Sequence, residues 1–231
     1  MTPAAGAALR AAEIIVGYKT YLDLIPEFLT GKEVVSSEMM KEVERCRQAL
    51  ALAEDGRTVA LVSGGDPGIY AMAGLVYELA REQDCRSRIV IVPGLAAVNS
   101  CAARLGAPLM HDFATVSLSD LLTPWELIER RLTAAAMADF VTAIYNPKSK
   151  KRTDQIARAR EIFLAHRSPQ TPVGIVTAAT REAERVEICD LETMLERDIT
   201  MQSTVIIGNS QTYVWNGVMV TPRGYAGKYR L

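Results

Sequence analysis

A chain of 231 residues that is 49% apolar and free of low-complexity tracts buries a sizeable core, as one large domain or two small ones, and is not disordered. A formal net charge of −1 offers no general attraction to nucleic acid or to an anionic membrane. Cys46, Cys85, Cys101 and Cys189 are scattered without a C-x-x-C pair, and His111 and His166 are the only histidines, so neither a disulfide framework nor a metal centre is expected. Arg10 and Glu13 spoil the alanine-rich start as a signal peptide, and no apolar run is long enough to cross a bilayer. The expectation is a soluble, cytoplasmic protein.

In chain order, Thr2 caps a short helix with Pro3 at its first position, running to Ala12. Glu13–Gly17 reads as a strand and Tyr18–Leu29 as a helix disturbed at Pro26. Ser37 caps a long helix whose apolar face is Met40, Val43, Cys46, Leu50 and Ala53, ending at Gly56. Thr58–Val62 is an apolar, β-branched run that reads as a buried strand. It stops at Ser63-Gly64-Gly65, where a positive φ is permitted and no Cβ keeps a ligand away. Asp66-Pro67 then reads as a helix cap and first helical residue, with Ile69, Met72, Ala73, Val76, Leu79 and Ala80 following at helical spacing. Arg88–Val92 is the next strand, Pro93-Gly94 its turn, and Leu95–Leu105 a helix stopped by Gly106.

Ala107-Pro108 and His111-Asp112 form the expected linker, which divides the chain into lobes at 1–110 and 113–231. Ala114–Leu118 alternates like a strand, and Thr123-Pro124-Trp125-Glu126 is a capping box before a helix that reaches Met137. Phe140–Tyr145 is an apolar strand and Thr153–Ala165 a helix. Pro172–Thr177, Val186–Asp190 and Thr204–Gly208 are further strands, and Asn216-Gly217 turns a hairpin between Tyr213–Trp215 and Val218–Val220. This alternation predicts an α/β fold, with a parallel-sheet N-terminal lobe and a C-terminal lobe with a mixed sheet.

Chemistry is expected where glycine turns and charged loops leave strand ends, since open α/β sheets bind ligands there. The turn at Gly64–Asp66 is no phosphate loop, because Lys-Ser/Thr is absent, and it matches neither G-x-G-x-x-G nor G-x-S-x-G. A plain strand-to-helix turn is the alternative there and at Pro93–Ala97. Ile144–Arg152, IYNPKSKKR, ends a strand with a burst of positive charge that is either solvated or poised for acidic groups. Val176–Arg185, VTAATREAER, follows another strand and carries Arg181 and Arg185, as anion clamps or as solvated surface. His111-Asp112 is a candidate acid–base pair, the alternative being a helix-end or interdomain contact.

GGDPGIYAMA resembles the G-D-P motif of the tetrapyrrole methylases, which transfer a methyl group from S-adenosylmethionine (SAM) to tetrapyrroles. The runs Y-N-P-K-S-x-x-R and G-N-S…T-P-R-G-Y are most similar to the branch that methylates C17 of precorrin-3B, and the resemblance extends over essentially the whole chain from Thr2. It implies a two-lobed class III methyltransferase fold with SAM in the cleft between the lobes and S-adenosylhomocysteine as product. Cofactor contacts are implied at Gly64, Gly65, Asp66, Ile69, Ala96, Ala97, Asn146, Ala179 and Thr204. Ala96 stands where the V-P-G-x-[ST]-A turn of the family has a hydroxyl. Lys148, Lys150, Arg152 and Arg181 are implied partners of a tetrapyrrole polycarboxylate. No metal is implied, and the catalytic residues are left unassigned beyond His111 and Asp112.

The implied reaction is C17 methylation with contraction of the macrocycle in cobalamin biosynthesis, on precorrin-3B or on its cobalt-containing counterpart, cobalt-factor III. The alternatives are a class III methyltransferase acting on another tetrapyrrole, on RNA or on protein, and a non-catalytic SAM- or tetrapyrrole-binding form. A homodimer without nucleic-acid or membrane partners is expected. In the family a first strand and a G-x-G-P-G loop precede the equivalent of Thr2-Pro3, so that strand is expected to be missing here.

Overall fold

The helix that opens the chain, α1 (Pro3–Ala11), is capped as its sequence predicts, with Thr2 Oγ1 accepting from the Ala5 amide at 3.1 Å. In the computed structural model, which describes residues 1–230, there follow β1 (Ile14–Tyr18), the single turn α2 (Lys19–Leu22), β2 (Glu33–Ser37), α3 (Glu42–Glu54), β3 (Val59–Val62) and α4 (Ala73–Glu82). The three strands form a parallel sheet in the order β2-β1-β3. Successive side chains of a strand point to opposite faces, so the central strand must be apolar throughout. Ile14, Ile15 and Val16 are accordingly fully buried. Ile15 packs with Leu9, Leu22, Ile25 and Phe28 on one face, while Ile14 and Val16 meet Ala49 of α3 on the other.

Several expectations fail here for identifiable reasons. Tyr18–Leu29 is not one helix: α2 ends at Leu22 and only a 3-10 turn, Pro26–Phe28, resumes. Pro26 disfavours helical geometry in the residue before it, and Ile25 sits at φ −135°, ψ 40°. Ser37 ends β2 instead of capping a helix, and α3 starts at Glu42. β2 escaped sequence reading because it is an edge strand with Glu33, Val34 and Ser36 exposed, and so lacks an apolar signature. Arg88–Val92 runs without a strand partner among the described residues, and Val90 is 61% exposed.

The second unit contains α5 (Ala97–Leu105), β4 (Gly106–Ala107), β5 (Phe113–Ser117), α6 (Trp125–Met137), β6 (Val141–Tyr145), α7 (Gln155–Leu164), β7 (Pro172–Thr177), β8 (Arg185–Asp190), β9 (Ser203–Ile207), β10 (Tyr213–Trp215) and β11 (Val218–Val220). Its main sheet runs β5-β6-β9-β7-β8, with β5 and β6 parallel and the other pairs antiparallel. Ile128 and Leu132 of α6 and Ala159 and Phe163 of α7 pack with Val116, Ile144, Ile175 and Val205 on one face. Gly174 faces the other way, and a Cβ there would stand 2.3 Å from Leu105, so α5 lies directly on the sheet.

That contact explains why the chain divides into its two compact units at Ala96/Ala97 and not at the expected linker after residue 110. α5 packs on the second sheet, and β4 pairs in parallel with Met219 and Val220 of β11. The capping box at Thr123 does not form either. Pro124 itself occupies the cap position, which pushes Thr123 outside the helix, and α6 has no side-chain cap. α7 likewise starts two residues later than expected, with Asp154 at its cap position. No helix among the described residues is long and apolar enough to cross a membrane.

Candidate functional site

The turn after β3 is closed by one carboxylate. Asp66 Oδ1 accepts from the Gly68 amide at 2.8 Å, and Oδ2 accepts from the Gly94 amide at 3.0 Å. Asp66 therefore does not cap a helix: α4 begins only at Ala73, whose amide donates to Pro67 O at 2.9 Å. A short acidic side chain bonding two residues ahead is a local turn former, and its second oxygen is left to reach a distant strand end. Gly65 takes φ +77°, and a Cβ on Gly94 would stand 1.9 Å from Gly65 O, so the two turns touch through backbone. Pro93 O accepts from Thr2 Oγ1 at 3.0 Å, a second tether on the same segment. The open side of Gly64 is taken by this chain itself, since a Cβ there would stand 2.7 Å from the Tyr21 ring. Ile69 and Tyr70, the latter at φ +52°, are exposed beside the turn.

In the second unit, the ends of β6 and β7 and the start of β9 lie at the same end of the sheet's strands, because Ile144 pairs with Val205 and Thr177 with Ser203. Three non-glycine residues at this end hold the left-handed conformation: Asn146 (φ +49°), Ala178 (φ +50°) and Thr180 (φ +64°). Such strain persists only where surrounding contacts impose it. Asn146 Nδ2 donates to Ser117 Oγ at 2.9 Å, and Ala178 N donates to Gln202 O at 3.1 Å. Ala179 sits between the two strained residues of its loop. Glu184 ties that loop down, accepting from the Thr180 amide and from Arg104 Nε of α5 at 2.9 Å. The Thr180 amide first, and then Arg104, hold the Glu184 carboxyl below its ordinary pKa. Thr204 is buried and its hydroxyl faces Cys101, leaving backbone as the group it can offer a ligand.

The four cations expected to meet substrate do not behave alike. Arg152 is drawn inward: Nη1 donates to Asn146 O at 2.5 Å, and Nε lies 3.7 Å from Asp120 with the side chain 11% exposed. Burial pushes its pKa down, opposed by Asp120. It shapes the loop, and its charge is partly spent. Lys148, half-buried, and Lys150 and Arg181, both exposed, form no ion pair among the described residues. His111 and Asp112 stand at the opposite end of the strands, where Phe113 pairs with Val141 and Val141 N donates to Asp112 O. The length of β5, at about 3.3 Å per residue, is roughly 13 Å and separates them from the strained loops. The Asp112 amide donates to His111 Nδ1 at 2.8 Å, a local contact of an exposed ring.

Residues 1–195 match the family model of Tetrapyrrole (Corrin/Porphyrin) Methylases. This chain belongs to that family. It is 50% identical over 225 residues to the probable cobalt-factor III C(17)-methyltransferase of Salmonella typhimurium, covering 97% of this chain and 93% of that protein. It is also 50% identical over 235 residues to the cobalt-factor III methyltransferase of Priestia megaterium, covering 100% of this chain but 44% of that longer protein. This methylase thus spans less than half of one curated relative and nearly all of another. The crystal structure of the methyltransferase CobJ superimposes with a TM-score of 0.91 at 36% identity, over 96% of this chain and 93% of that one.

In this tetrapyrrole methylase the strand ends carry the glycine turn and the strained loops. What sequence reading missed are the residues that hold those loops: Tyr21 behind Gly64, Glu184 with Arg104, and Arg45. Arg45 is 3% exposed and donates to Ser37 Oγ, to Glu38 O and to Met72 Sδ just ahead of α4. Only Arg45 carried a local signal, a charged residue on the buried side of α3 beside Cys46 and Ala49.

Proposed function

We propose that this methylase transfers the methyl group of SAM to C17 of cobalt-factor III, with contraction of the macrocycle. The observation that carries the reading is the 50% identity to the Salmonella enzyme over nearly the full length of both chains. SAM supplies an already activated methyl group, so the protein needs no strong nucleophile. Its contribution is to hold donor and acceptor in line and keep water out.

In this reading Gly65, Ile69, Ala96 and Ala97 lie against the donor, with Gly64 and Asp66 shaping their turn. Asn146, Ala179 and backbone at Thr204 receive its adenosine. Lys148, Lys150 and Arg181 meet carboxylates of the macrocycle. The support from geometry is that these three cations stand on loops at one end of the sheet's strands without carboxylate partners of their own among the described residues, which suits a polyanionic ligand. A homodimer working in the cytoplasm belongs to the same proposal.

The test is a methyl-transfer assay with purified protein, SAM and either cobalt-factor III or precorrin-3B, read by mass spectrometry for one added methyl group. Transfer to cobalt-factor III is the expected result. Transfer only to precorrin-3B would overturn the choice of acceptor, and transfer to neither would overturn the reading. Sedimentation of the same preparation reads the oligomeric state.

A further inference from the structure

The first turn of α5 lacks the side chain that helix starts ordinarily use. The amides of a helix's first turn have no partner within the helix, and a Ser, Thr, Asp or Asn at the cap position usually accepts from the second or third of them. α5 begins at Ala97, so the cap position is Ala96, whose side chain has no acceptor. Val98 is the second helical residue, and its amide donates at 2.8 Å to the hydroxyl of Tyr145, 47 positions along the chain.

Tyr145 is the last residue of β6. Its carbonyl accepts from the Leu118 amide at 3.0 Å, and it pairs with Ser117 across the parallel ladder, so its backbone is fixed on the sheet. The next residue is Asn146, held in the left-handed conformation with its amide on Ser117 Oγ.

We propose that Tyr145 is a positioning residue for the methyl donor, its phenol acting as a remote cap for α5 in place of a hydroxyl at position 96. This rests on the methyltransferase reading. One rigid side chain then sets the start of α5, next to Ala96 and Ala97, in register with Asn146. A flexible side chain would not do this, because a tyrosine ring has only two rotatable bonds and its hydroxyl cannot wander once the ring is packed.

Two measurements on the full chain test it. Amide hydrogen exchange reads the clamp directly: in Tyr145→Phe the Val98 amide should exchange at least tenfold faster, while amides of β7 and β9 keep their protection. Calorimetric titration with S-adenosylhomocysteine reads the consequence. Tyr145→Phe should lose about fivefold in affinity, the worth of one neutral hydrogen bond, with tetrapyrrole affinity unchanged. Adding Ala96→Ser, which places a cap hydroxyl within local reach of Val98, should restore most of that loss.

Unchanged exchange at Val98 overturns the clamp, whatever the chain binds. Faster exchange with unchanged affinity for S-adenosylhomocysteine overturns the positioning role. Equal losses for both ligands, or no recovery with Ala96→Ser, would show a general structural defect and also overturn it. If the wild-type chain binds no S-adenosylhomocysteine while the exchange result holds, the methyltransferase reading has failed, and the positioning role falls with it.

Discussion

The turns at the strand ends of the first sheet and the loops at the strand ends of the second are held by different physics. After β3, two glycine turns meet backbone to backbone, and one carboxylate, Asp66, ties both. At the second sheet, non-glycine residues are forced into left-handed geometry by side chains from far away, Ser117 for Asn146 and Arg104 with Glu184 for the loop around Thr180. The first arrangement is compact and leans on one carboxylate, with a single further tether from Thr2 Oγ1 to Pro93 O. The second spreads the task over several bonds. A single substitution should therefore do more damage in the first unit than in the second.

Gly94→Ala is expected to be the most damaging change. Its Cβ would stand 1.9 Å from Gly65 O, a contact that backbone must move to relieve, at a cost of about 3 kcal/mol. Urea unfolding should show that loss together with loss of S-adenosylhomocysteine binding; a wild-type midpoint would mean the turns are not in contact. Asp66→Asn should cost about 2 kcal/mol, because the amide retains an acceptor for one glycine N–H and turns its own NH2 toward the other. Stability equal to wild type would show that one of the two bonds is dispensable.

Neutralising Lys148, Lys150 and Arg181 together should weaken tetrapyrrole binding about tenfold at low salt, less at high salt, and leave S-adenosylhomocysteine affinity intact. Adding Arg152→Gln should instead disturb cofactor binding, since that side chain supports Asn146. Equal effects of all four cations on both ligands would erase the distinction between free and inward-turned charge. The smallest expected effect is on acid stability.

Glu54 collects the Ser87 hydroxyl, the Cys85 thiol and the amides of Arg86 and Ser87, and in that order of causes the first two and then Arg86 hold its pKa down to about 2. The folded value lies below the unfolded one, so this stabilisation is complete above the ordinary glutamate range and is lost as pH falls toward 2. Glu54→Gln should flatten the acid limb of the stability profile between about pH 4.5 and 2, read from urea midpoints across that range. An unchanged limb would show that Glu54 is not held in solution.

How legible the site was in the sequence varied with distance along the chain. The glycine turn at Gly64–Asp66 stood out because its residues are adjacent, although its hydrogen bonds did not: Asp66 reads as a helix cap until Gly94 is brought beside it. The charged run Lys148–Arg152 was visible as charge, yet nothing local distinguishes Lys148, which has no ion-pair partner among the described residues, from Arg152, which is folded back onto Asn146 and Asp120. His111 and Asp112 were plausible chemistry by type, and the register of β5 places them at the other end of the strands from the strained loops.

By itself, the sequence determined the elements whose signal lies within a few residues: the Thr2-Pro3 start of α1, the apolar cores of β1, β6, β7 and β9, and the hairpin at Asn216-Gly217. Burial on both faces leaves no polar residue to interrupt such strands, and a tight turn requires particular residues at fixed offsets. Only the tertiary structure decided the pairing of the exposed edge strand β2, the assignment of α5 to the second sheet, and the partner of each loop. Tyr145 and Val98 are 47 positions apart, Arg104 and Glu184 are 80 apart, and no local spacing encodes either bond. A hydrogen bond needs its two groups within about 3 Å, and for residues so distant only the packed fold supplies that proximity.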